Sequence, residues 1–207
     1  MLGALNYLRA KHVVHRDIKL ENWLYATNDP LSPVCLTDFG LATYFYPEVD
    51  PPLNEMMGSL FYIAPEVLRQ SYGFECDIWS LGIVCYMLLS GIAPFEGENQ
   101  EKTIVEILNK TVEFPRKYWN DDVSKEAQDF IMRLLTRDVR KRPSAEAALN
   151  HVWLKELKDR RRHAVTDDVR STQSGTSDGG GWVRGVWSEK HFCAIFVRHF
   201  RKIRKCL

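Results

Sequence analysis

The stretch His15-Arg16-Asp17-Ile18-Lys19-Leu20-Glu21-Asn22 decides how the rest of this sequence is interpreted. It places acidic, cationic and amide side chains within eight residues. A second acidic motif, Asp38-Phe39-Gly40, follows a short run of strand-forming residues. A carboxylate can accept a proton, a lysine can meet an anion, and an amide with a second carboxylate can bind a hard metal ion. The two motifs are therefore the first candidates for a catalytic site.

The composition is typical of a globular protein and excludes several classes. A chain of 207 residues can form one ordinary domain with a tail, and 45% hydrophobic with 27% charged residues is the usual balance. The formal net charge of +1 excludes a globally basic protein, so we expect no nucleic-acid partner. The five cysteines never form a CxxC pair, which argues against a zinc site or a disulfide framework and for a reducing compartment.

The sequence shows no targeting or membrane segment. The residues after Met1 lack the charged region and the cleavage pattern of a signal peptide. The longest apolar run, 83–89, is too short to span a bilayer. We therefore expect a cytoplasmic protein, with the nucleus as the alternative.

Two short strands are predicted on either side of a turn. Residues 23–25 and 34–37 are strand formers, and the turn residues 28–30 lie between them. A hairpin of these strands would bring Asn22 and Asp38 together at its open end. The two side chains could then share one metal ion.

Most of the remaining chain is predicted to be helical. The run 75–89 leaves almost no polar face, which indicates a buried helix, and Gly91 would end it. Residues 41–59, rich in proline, are predicted to form a long surface loop, and long ordered loops are usually functional. Other predicted helices cover the first residues (from Leu2 to Leu8), a short turn from Pro65, 101–109, 124–135 with Ser124 as its cap, a segment capped by Ser144, and a last turn near 153–157.

The motifs together resemble the protein-kinase family, over roughly residues 1–154. A lysine two residues after the aspartate, as Lys19 is after Asp17, is similar to serine/threonine kinases. The amino-acid sequences of several motifs are most similar to those of the calmodulin-dependent and calcium-dependent kinases. The motifs that carry the resemblance, in family order, are His15 to Asn22, Asp38-Phe39-Gly40, Ala64-Pro65-Glu66, Asp77 with Trp79 and Gly82, and Arg142.

The resemblance implies a mainly α fold, within the α+β fold of the family. Residues 1–156 would be the large C-terminal lobe, with a short β-hairpin near the catalytic loop and with the small lobe absent. The glycine-rich phosphate loop and the strand lysine of the small lobe are not found in the sequence. We therefore expect little or no catalysis from this polypeptide by itself. It could be a fragment, a mis-predicted gene product, or a lobe completed by another chain.

The resemblance also implies phosphoryl transfer from ATP, with Mg²⁺, to a serine or threonine hydroxyl of a protein. Asp17 would orient and deprotonate the hydroxyl, and Lys19 would lie against the transferred phosphate. The remaining implied binding residues are Asn22 and Asp38 for the metal and the nucleotide phosphates, Leu24 as the floor under the adenine, and Ser59 bonded to Asp17 and Lys19.

Other residues would support the site or select the substrate. Glu21 is placed to meet a basic residue of the substrate, which predicts substrates with basic residues near the acceptor. The resemblance implies that Arg16 pairs with a negative charge on the 41–59 loop. The family is usually phosphorylated at the position three residues before Gly58, and that residue here is Glu55. We expect Glu55 to supply a fixed charge there, about half that of a phosphate. The implied structural supports are His15, Phe39, a buried pair of Glu66 with Arg142, and Asp77 accepting backbone N–H groups of the catalytic loop.

The end of the chain is predicted to form a linker and a helix. Residues 157–186 include a stretch rich in Ser, Thr and Gly, typical of flexible linkers. Residues 187–207 read as a basic amphipathic helix, which could bind calmodulin or an anionic membrane surface, or could be a solvated terminus. Its apolar face would carry Phe192, Ile195, Phe196, Phe200 and Ile203, and its basic face Arg198, Arg201, Lys202, Arg204 and Lys205.

Two rival interpretations come from outside catalysis. The chain could be a non-catalytic module that docks substrates or a partner through the helix near 101–109. It could instead be a calmodulin-responsive interaction fragment governed by its tail. Asp17, Lys19, Asn22 and Asp38 are all present, which favours the catalytic interpretation.

Overall fold

Helices form most of the structure, and small antiparallel sheets lie near its beginning. The computed structural model describes residues 1–27, 32–119, 123–157 and 159. Within these residues the helices are α1 (Leu2–Ala10), α2 (Pro65–Leu68), α3 (Glu75–Ser90), α4 (Gln100–Asn109), α5 (Lys125–Leu134) and α6 (Ala145–Leu149), and residues 152–157 are also helical. The strands are β1 (Val13–Val14), β2 (Trp23–Tyr25), β3 (Val34–Leu36) and β4 (Thr43–Tyr44), and 3₁₀ turns cover Leu20–Asn22 and Leu60–Tyr62.

The helix α3 is the centre of the core, as its sequence predicts. Trp79 and Ile83 are fully buried, and Gly91 ends the helix in the left-handed conformation with φ 79°. Full burial of such side chains stabilises the fold by about 1.5–3 kcal/mol each. Gly82 allows α5 and the residue after it to approach, because a Cβ there would lie 2.8 Å from a Leu135 methyl group and 2.9 Å from Leu134 Cβ.

The helix α1 packs on the core next to α6. Its leucines Leu2, Leu5 and Leu8 are buried, which confirms the predicted helical spacing. The helix packs against α6 and leads directly into β1. The stretch from His15 to Asn22 therefore begins directly after two packed elements, α1 and β1.

The predicted hairpin is confirmed. Strand β2 pairs antiparallel with β3, with Trp23 opposite Leu36 and Leu24 opposite Cys35. Trp23 is fully buried whereas Leu24 is half exposed, so one face of the hairpin belongs to the core and the other is open. Thr37 lies just beyond β3 and not within it, contrary to the predicted strand 34–37. The predicted turn at 28–30 lies outside the described residues.

The prediction of an irregular loop over 41–59 was wrong at two points. Strand β4 lies within it and pairs antiparallel with β1, so that Val13 faces Tyr44. Farther along, Leu53 and Tyr72 form an isolated antiparallel bridge with N···O distances of 2.9 and 3.1 Å. Both contacts join residues distant in sequence, and such short strands leave no periodic pattern to detect. The segment is thus tied to the domain at both places.

The predicted serine caps are confirmed. The Ser124 hydroxyl accepts from Ala127 N at 3.2 Å, and the Ser144 hydroxyl accepts from Ala147 N at 3.1 Å. Asn99 caps α4 in the same way, with 2.9 Å from Lys102 N to its side-chain oxygen. This moves the start of α4 to Gln100, one residue before the predicted start.

The predicted linker 157–186 lies outside the described residues except for 157 and 159, and the predicted helix 187–207 lies outside them entirely. In the described part of the chain, no helix combines the length and apolar character needed to cross a bilayer.

Candidate active site

The loop that carries Asp17 is fixed by its apolar neighbours. Val14 and Ile18 are fully buried and Leu20 nearly so. The polar residues between them are therefore held against the core, and His15 and Asp17 are themselves buried. Arg16 adopts a left-handed backbone with φ 68°, a conformation that a non-glycine residue adopts only at a cost.

Asp17 lies at the centre of a compact polar cluster. Lys19 Nζ lies 2.5 Å from Asp17 Oδ2, and the Ser59 hydroxyl donates to Asp17 Oδ1 at 2.8 Å. Lys19 Nζ also lies 3.4 Å from Ser59 Oγ. Burial acts to raise the pKa of Asp17, but the hydrogen bonds from Lys19 and Ser59 outweigh it, and the pKa is lowered. Asp17 is therefore a charged acceptor with both oxygens held in place.

Asn22 is oriented by the same carboxylate. Its Nδ2 donates to the Asp17 carbonyl at 2.8 Å and lies 3.4 Å from Asp17 Oδ2. This leaves the amide oxygen of Asn22 as the atom that could bind an ion. The Asn22 carbonyl accepts from Thr37 N at 2.9 Å and from Thr37 Oγ1 at 3.1 Å.

Asp38 follows Thr37, the residue that bonds to the Asn22 carbonyl beyond the open end of the hairpin. It is exposed, with φ 62°, and its Oδ1 accepts from Gly40 N at 3.3 Å. Within the described residues, no group of three His, Cys, Asp or Glu side chains is arranged to hold a metal ion. Mg²⁺ is commonly bound by one or two side chains together with substrate phosphates. One amide oxygen and one carboxylate fit that donor set.

The carboxylate of Asp77 holds the backbone of the loop that carries Asp17. Its carboxylate oxygens accept from His15 N at 2.8 Å and from Arg16 N at 2.9 Å. Asp77 is buried in the first turn of α3. The loop backbone is thus attached to the most buried helix of the domain.

His15 joins the loop to the second motif. It is fully buried, and its Nε2 lies 3.2 Å from the Thr37 carbonyl oxygen. The ring of Phe39 meets the ring of His15 edge-on, with 4.9 Å between centroids. The other side of Phe39 is open, since the side chain is 48% exposed.

Arg16 reaches the 41–59 segment. Its guanidinium donates to Glu55 Oε2 at 2.8 Å and, through Nε, to the Leu41 carbonyl at 2.6 Å. Gly58 passes the backbone of Arg16 closely, with φ 111°, and a Cβ there would lie 2.6 Å from the Arg16 oxygen. Only glycine fits this close approach.

Glu66 and Arg142 form a buried ion pair between α2 and the residues after α5. Both guanidinium nitrogens of Arg142 meet the carboxylate, one at 2.9 Å, and both side chains are almost fully buried. Arg142 also donates to the Thr136 carbonyl at 2.9 Å and to the Glu75 carbonyl at 2.7 Å. The Cζ atom of Arg142 lies 5.2 Å from the centroid of the Trp79 ring. The pair is therefore structural.

Glu21 and Leu24 face outward beside the cluster. Glu21 is exposed, and its Oε2 lies 3.5 Å from the Tyr62 hydroxyl, whose pKa is raised by burial and then by the charge of Glu21. Leu24 is 47% exposed on the open face of the hairpin. Both positions are accessible to a ligand.

Sequence reasoning missed Tyr62 and Tyr72 as parts of this region. The Tyr72 hydroxyl donates to the Glu55 carbonyl at 2.8 Å. Neither tyrosine belongs to a polar motif, and each acts through contacts with distant residues, so no local signal marks them.

Comparisons with known proteins identify the family of the chain. Residues 1–154 match the family model of the protein kinase domain. The calcium/calmodulin-dependent protein kinase cmkA of Emericella nidulans is 48% identical over 159 residues, which cover 75% of this chain and 37% of that protein. The CDPK-related kinase 1 of Arabidopsis thaliana is 43% identical over 154 residues, or 74% of this chain and 26% of that protein.

The calcium/calmodulin-dependent protein kinase type 1B of Homo sapiens is 36% identical over 207 residues, or 98% of this chain and 57% of that protein. The chain thus spans between about a quarter and three fifths of the length of these relatives. The family match covers the whole candidate site, from the loop of Asp17 to Arg142. The chain therefore belongs to the protein kinase family, in its group of calcium/calmodulin-dependent and CDPK-related serine/threonine kinases.

Proposed function

We propose that this chain supplies the hydroxyl-activating and metal-binding residues for phosphorylation of serine or threonine in protein substrates. The observation that carries the proposal is the hydrogen-bonded cluster of Asp17, Lys19, Ser59 and Asn22. Asp38 comes one residue after Thr37, which bonds to the Asn22 carbonyl. Residues 1–156 act in this proposal as the large lobe of a kinase. ATP with Mg²⁺ supplies the phosphoryl group and neutralises its charge.

Asp17 accepts a hydrogen bond from the substrate hydroxyl and takes its proton. A loose transition state needs little base strength, so the lowered pKa of Asp17 is compatible with this role and its fixed position matters more. Ser59 and Lys19 hold the two carboxylate oxygens. Lys19 also brings a positive charge to the place where an anionic group would lie.

Asn22 and Asp38 would bind Mg²⁺ through one amide oxygen and one carboxylate. The two bonds from Thr37 to the Asn22 carbonyl support this pairing, since Asp38 is the next residue after Thr37. Leu24 offers an apolar surface for an adenine ring. The sequence contains no glycine-rich phosphate loop, so we expect weak nucleotide affinity and little activity from this chain alone.

Metal binding tests the proposal directly. Mn²⁺ can replace Mg²⁺ as a paramagnetic probe, added to the full chain together with a non-hydrolysable ATP analogue. Relaxation enhancement should appear at nuclei of residues 22 and 38 and should be lost in Asp38→Asn. The matched control, Asp138→Asn, changes an aspartate in the turn after α5 and should keep the enhancement. Equal enhancement in both variants would refute the metal site.

Substrate selection tests the role of Glu21. We propose that its exposed carboxylate meets a basic residue near the acceptor, and an exposed charge pair of this kind contributes about 0.2–1 kcal/mol. An arginine-containing serine peptide should bind the full chain about 1.4-fold to fivefold more weakly after Glu21→Gln, as measured by fluorescence anisotropy. Glu101→Gln, at an exposed position on α4, is the control. No preference for arginine over alanine in the peptide would contradict this assignment.

A non-catalytic docking function is the second candidate. Val105 on α4 is 57% exposed and would offer an apolar contact to a partner. If the full chain binds neither nucleotide nor Mn²⁺, but a partner protein protects α4 from hydrogen exchange, this candidate replaces the catalytic one. A cytoplasmic location stays a prediction.

A further inference from the structure

Tyr72 meets the 41–59 segment with both its backbone and its side chain. Its amide and carbonyl pair with those of Leu53 at 3.1 and 2.9 Å. Its hydroxyl donates to the Glu55 carbonyl at 2.8 Å, although only 4% of the residue is exposed. The tyrosine thus holds two neighbouring points of the segment from one position just before α3.

The same hydroxyl lies beside Arg16. One guanidinium nitrogen of Arg16 lies 3.5 Å from the Tyr72 oxygen and 2.8 Å from Glu55 Oε2. Burial raises the pKa of Tyr72, against the lowering effect of Arg16, so the hydroxyl remains a donor at neutral pH. Arg16, Glu55 and Tyr72 therefore form a closed ring of polar contacts.

The members of this ring differ in their exposure to water. The Glu55 side chain is 59% exposed, whereas that of Arg16 is only 8% exposed. An exposed carboxylate is screened by salt and contributes little to an ion pair. The bonds of Tyr72 are shielded from solvent and keep their strength.

We propose that Tyr72 is a positioning residue that keeps Arg16 and the segment around residues 53–55 in place, so that order in this segment does not depend on the charge at Glu55 alone. Arg16 directly precedes Asp17, so Tyr72 acts on the candidate base through the backbone of its neighbour. The consequence for Asp17 rests on the proposed function, since Asp17 is the base in that proposal. Its contacts are independent of any nucleotide.

Hydrogen exchange in the full chain tests the proposal. Tyr72→Phe removes only the hydroxyl, and Tyr44→Phe makes the same change at a tyrosine of the same segment that is 68% exposed. Loss of one buried hydrogen bond should speed exchange at the Leu53 amide by about threefold to tenfold in Tyr72→Phe and leave it unchanged in Tyr44→Phe. The Arg16 Nε–H, which donates to the Leu41 carbonyl, should also exchange faster, while the Ile131 amide in α5 should not change.

Salt and a second variant keep the test decisive if Tyr72→Phe is poorly folded. Glu55→Gln removes the exposed charge, and protection at the Leu53 amide should fall by less than twofold, both in 0.05 M and in 1 M salt. If Glu55→Gln, or salt alone, abolishes that protection while Tyr72 is present, the proposal is overturned. Unchanged Leu53 exchange in a folded Tyr72→Phe protein also overturns it. None of these readouts needs metal or nucleotide binding. The inference about Tyr72 can therefore fail while the proposed function stands, and the proposed function can fail while the inference stands.

Discussion

Asp17 is the residue on which the candidate site depends, and its state is set by competing effects. Burial disfavours its charge, and the donors Lys19 and Ser59 favour it more strongly. A carboxyl whose folded pKa is lowered contributes stability that is complete above its unfolded pKa, and that is lost as the pH falls through the folded value. The unfolded reference is about 3.8, so this contribution is complete at neutral pH and lost in acid.

Replacing Lys19 should reveal this competition. In Lys19→Met the charge and the shortest hydrogen bond to Asp17 are removed while burial remains, so the pKa of Asp17 should rise. The stability that depends on the charge of Asp17 should then change less between neutral and acid pH than in the unchanged chain, because the folded pKa moves back toward its unfolded value. Carboxyl ¹³C NMR titration of the two proteins measures the shift, and Lys102→Met, at an exposed ion pair, is the control. A pKa that does not rise would show that Lys19 does not hold the carboxylate.

The buried pair of Glu66 and Arg142 should be far more sensitive than a surface pair. Arg142→Met leaves the Glu66 carboxylate buried without its cation, and the free energy of unfolding should fall by about 3–5 kcal/mol. Glu98→Gln, which breaks an exposed pair with Lys102, should cost less than about 1 kcal/mol. Urea unfolding monitored by tryptophan fluorescence compares the two. A loss for Arg142→Met as small as that for Glu98→Gln would contradict the burial argument.

At the scale of elements, the helices and the hairpin could be predicted because each has a local signal. The apolar run of α3 and the serine caps of α5 and α6 are readable within a few residues. Strand β4 and the bridge of Leu53 to Tyr72 could not be predicted, since two-residue pairings depend only on the tertiary fold.

The residues of the candidate site also divide into those with a local sequence signal and those without one. Asp17, Lys19 and Asn22 could be selected from the sequence because they belong to one recognisable motif, and the structure joins them by hydrogen bonds. Thr37, which bonds to the Asn22 carbonyl, directly precedes a second motif. Tyr72 and Tyr62 contribute through distant contacts and carry no pattern of their own. Long-range side-chain contacts are thus the part that required coordinates.

The cap of α5 offers a test of local stabilisation. Ser124→Ala removes the acceptor for the Ala127 amide and should lower the free energy of unfolding by about 0.5–2 kcal/mol. Ser124→Asp, an equally favoured cap, should retain most of the stability. Thermal unfolding by circular dichroism measures both variants. Equal losses in the two would show that the cap does not support α5.

At the scale of the whole molecule, long-range polar contacts attach the catalytic loop to the core. Asp77 reaches back to the amides of His15 and Arg16, and Glu66 reaches forward to Arg142. The open side of the structure carries the half-exposed Leu24 and Phe39 next to the cluster. The loop geometry therefore depends on the integrity of the complete domain, and the accessible apolar side chains lie where a nucleotide is proposed to bind.

The tail prediction can be tested at the same scale. If residues 187–207 form a basic amphipathic helix, the full chain should bind calcium-loaded calmodulin, and a chain ending at residue 157 should not. Titration with fluorescently labelled calmodulin, repeated with chelated calcium, measures this. Binding of the full chain to anionic vesicles but not to calmodulin would favour the membrane alternative instead. Absence of both would leave the tail as a solvated terminus.

The ion pair of Glu66 and Arg142 also bears on how the protein is made. Its partners are 76 residues apart in sequence, so a ribosome adding about 5–20 residues per second delivers the arginine roughly 4–15 s after the glutamate. Throughout that interval the nascent chain contains the acid of an unfinished interior without the base that neutralises it. The interior around Glu66 can therefore be completed only after residue 142 has been synthesised.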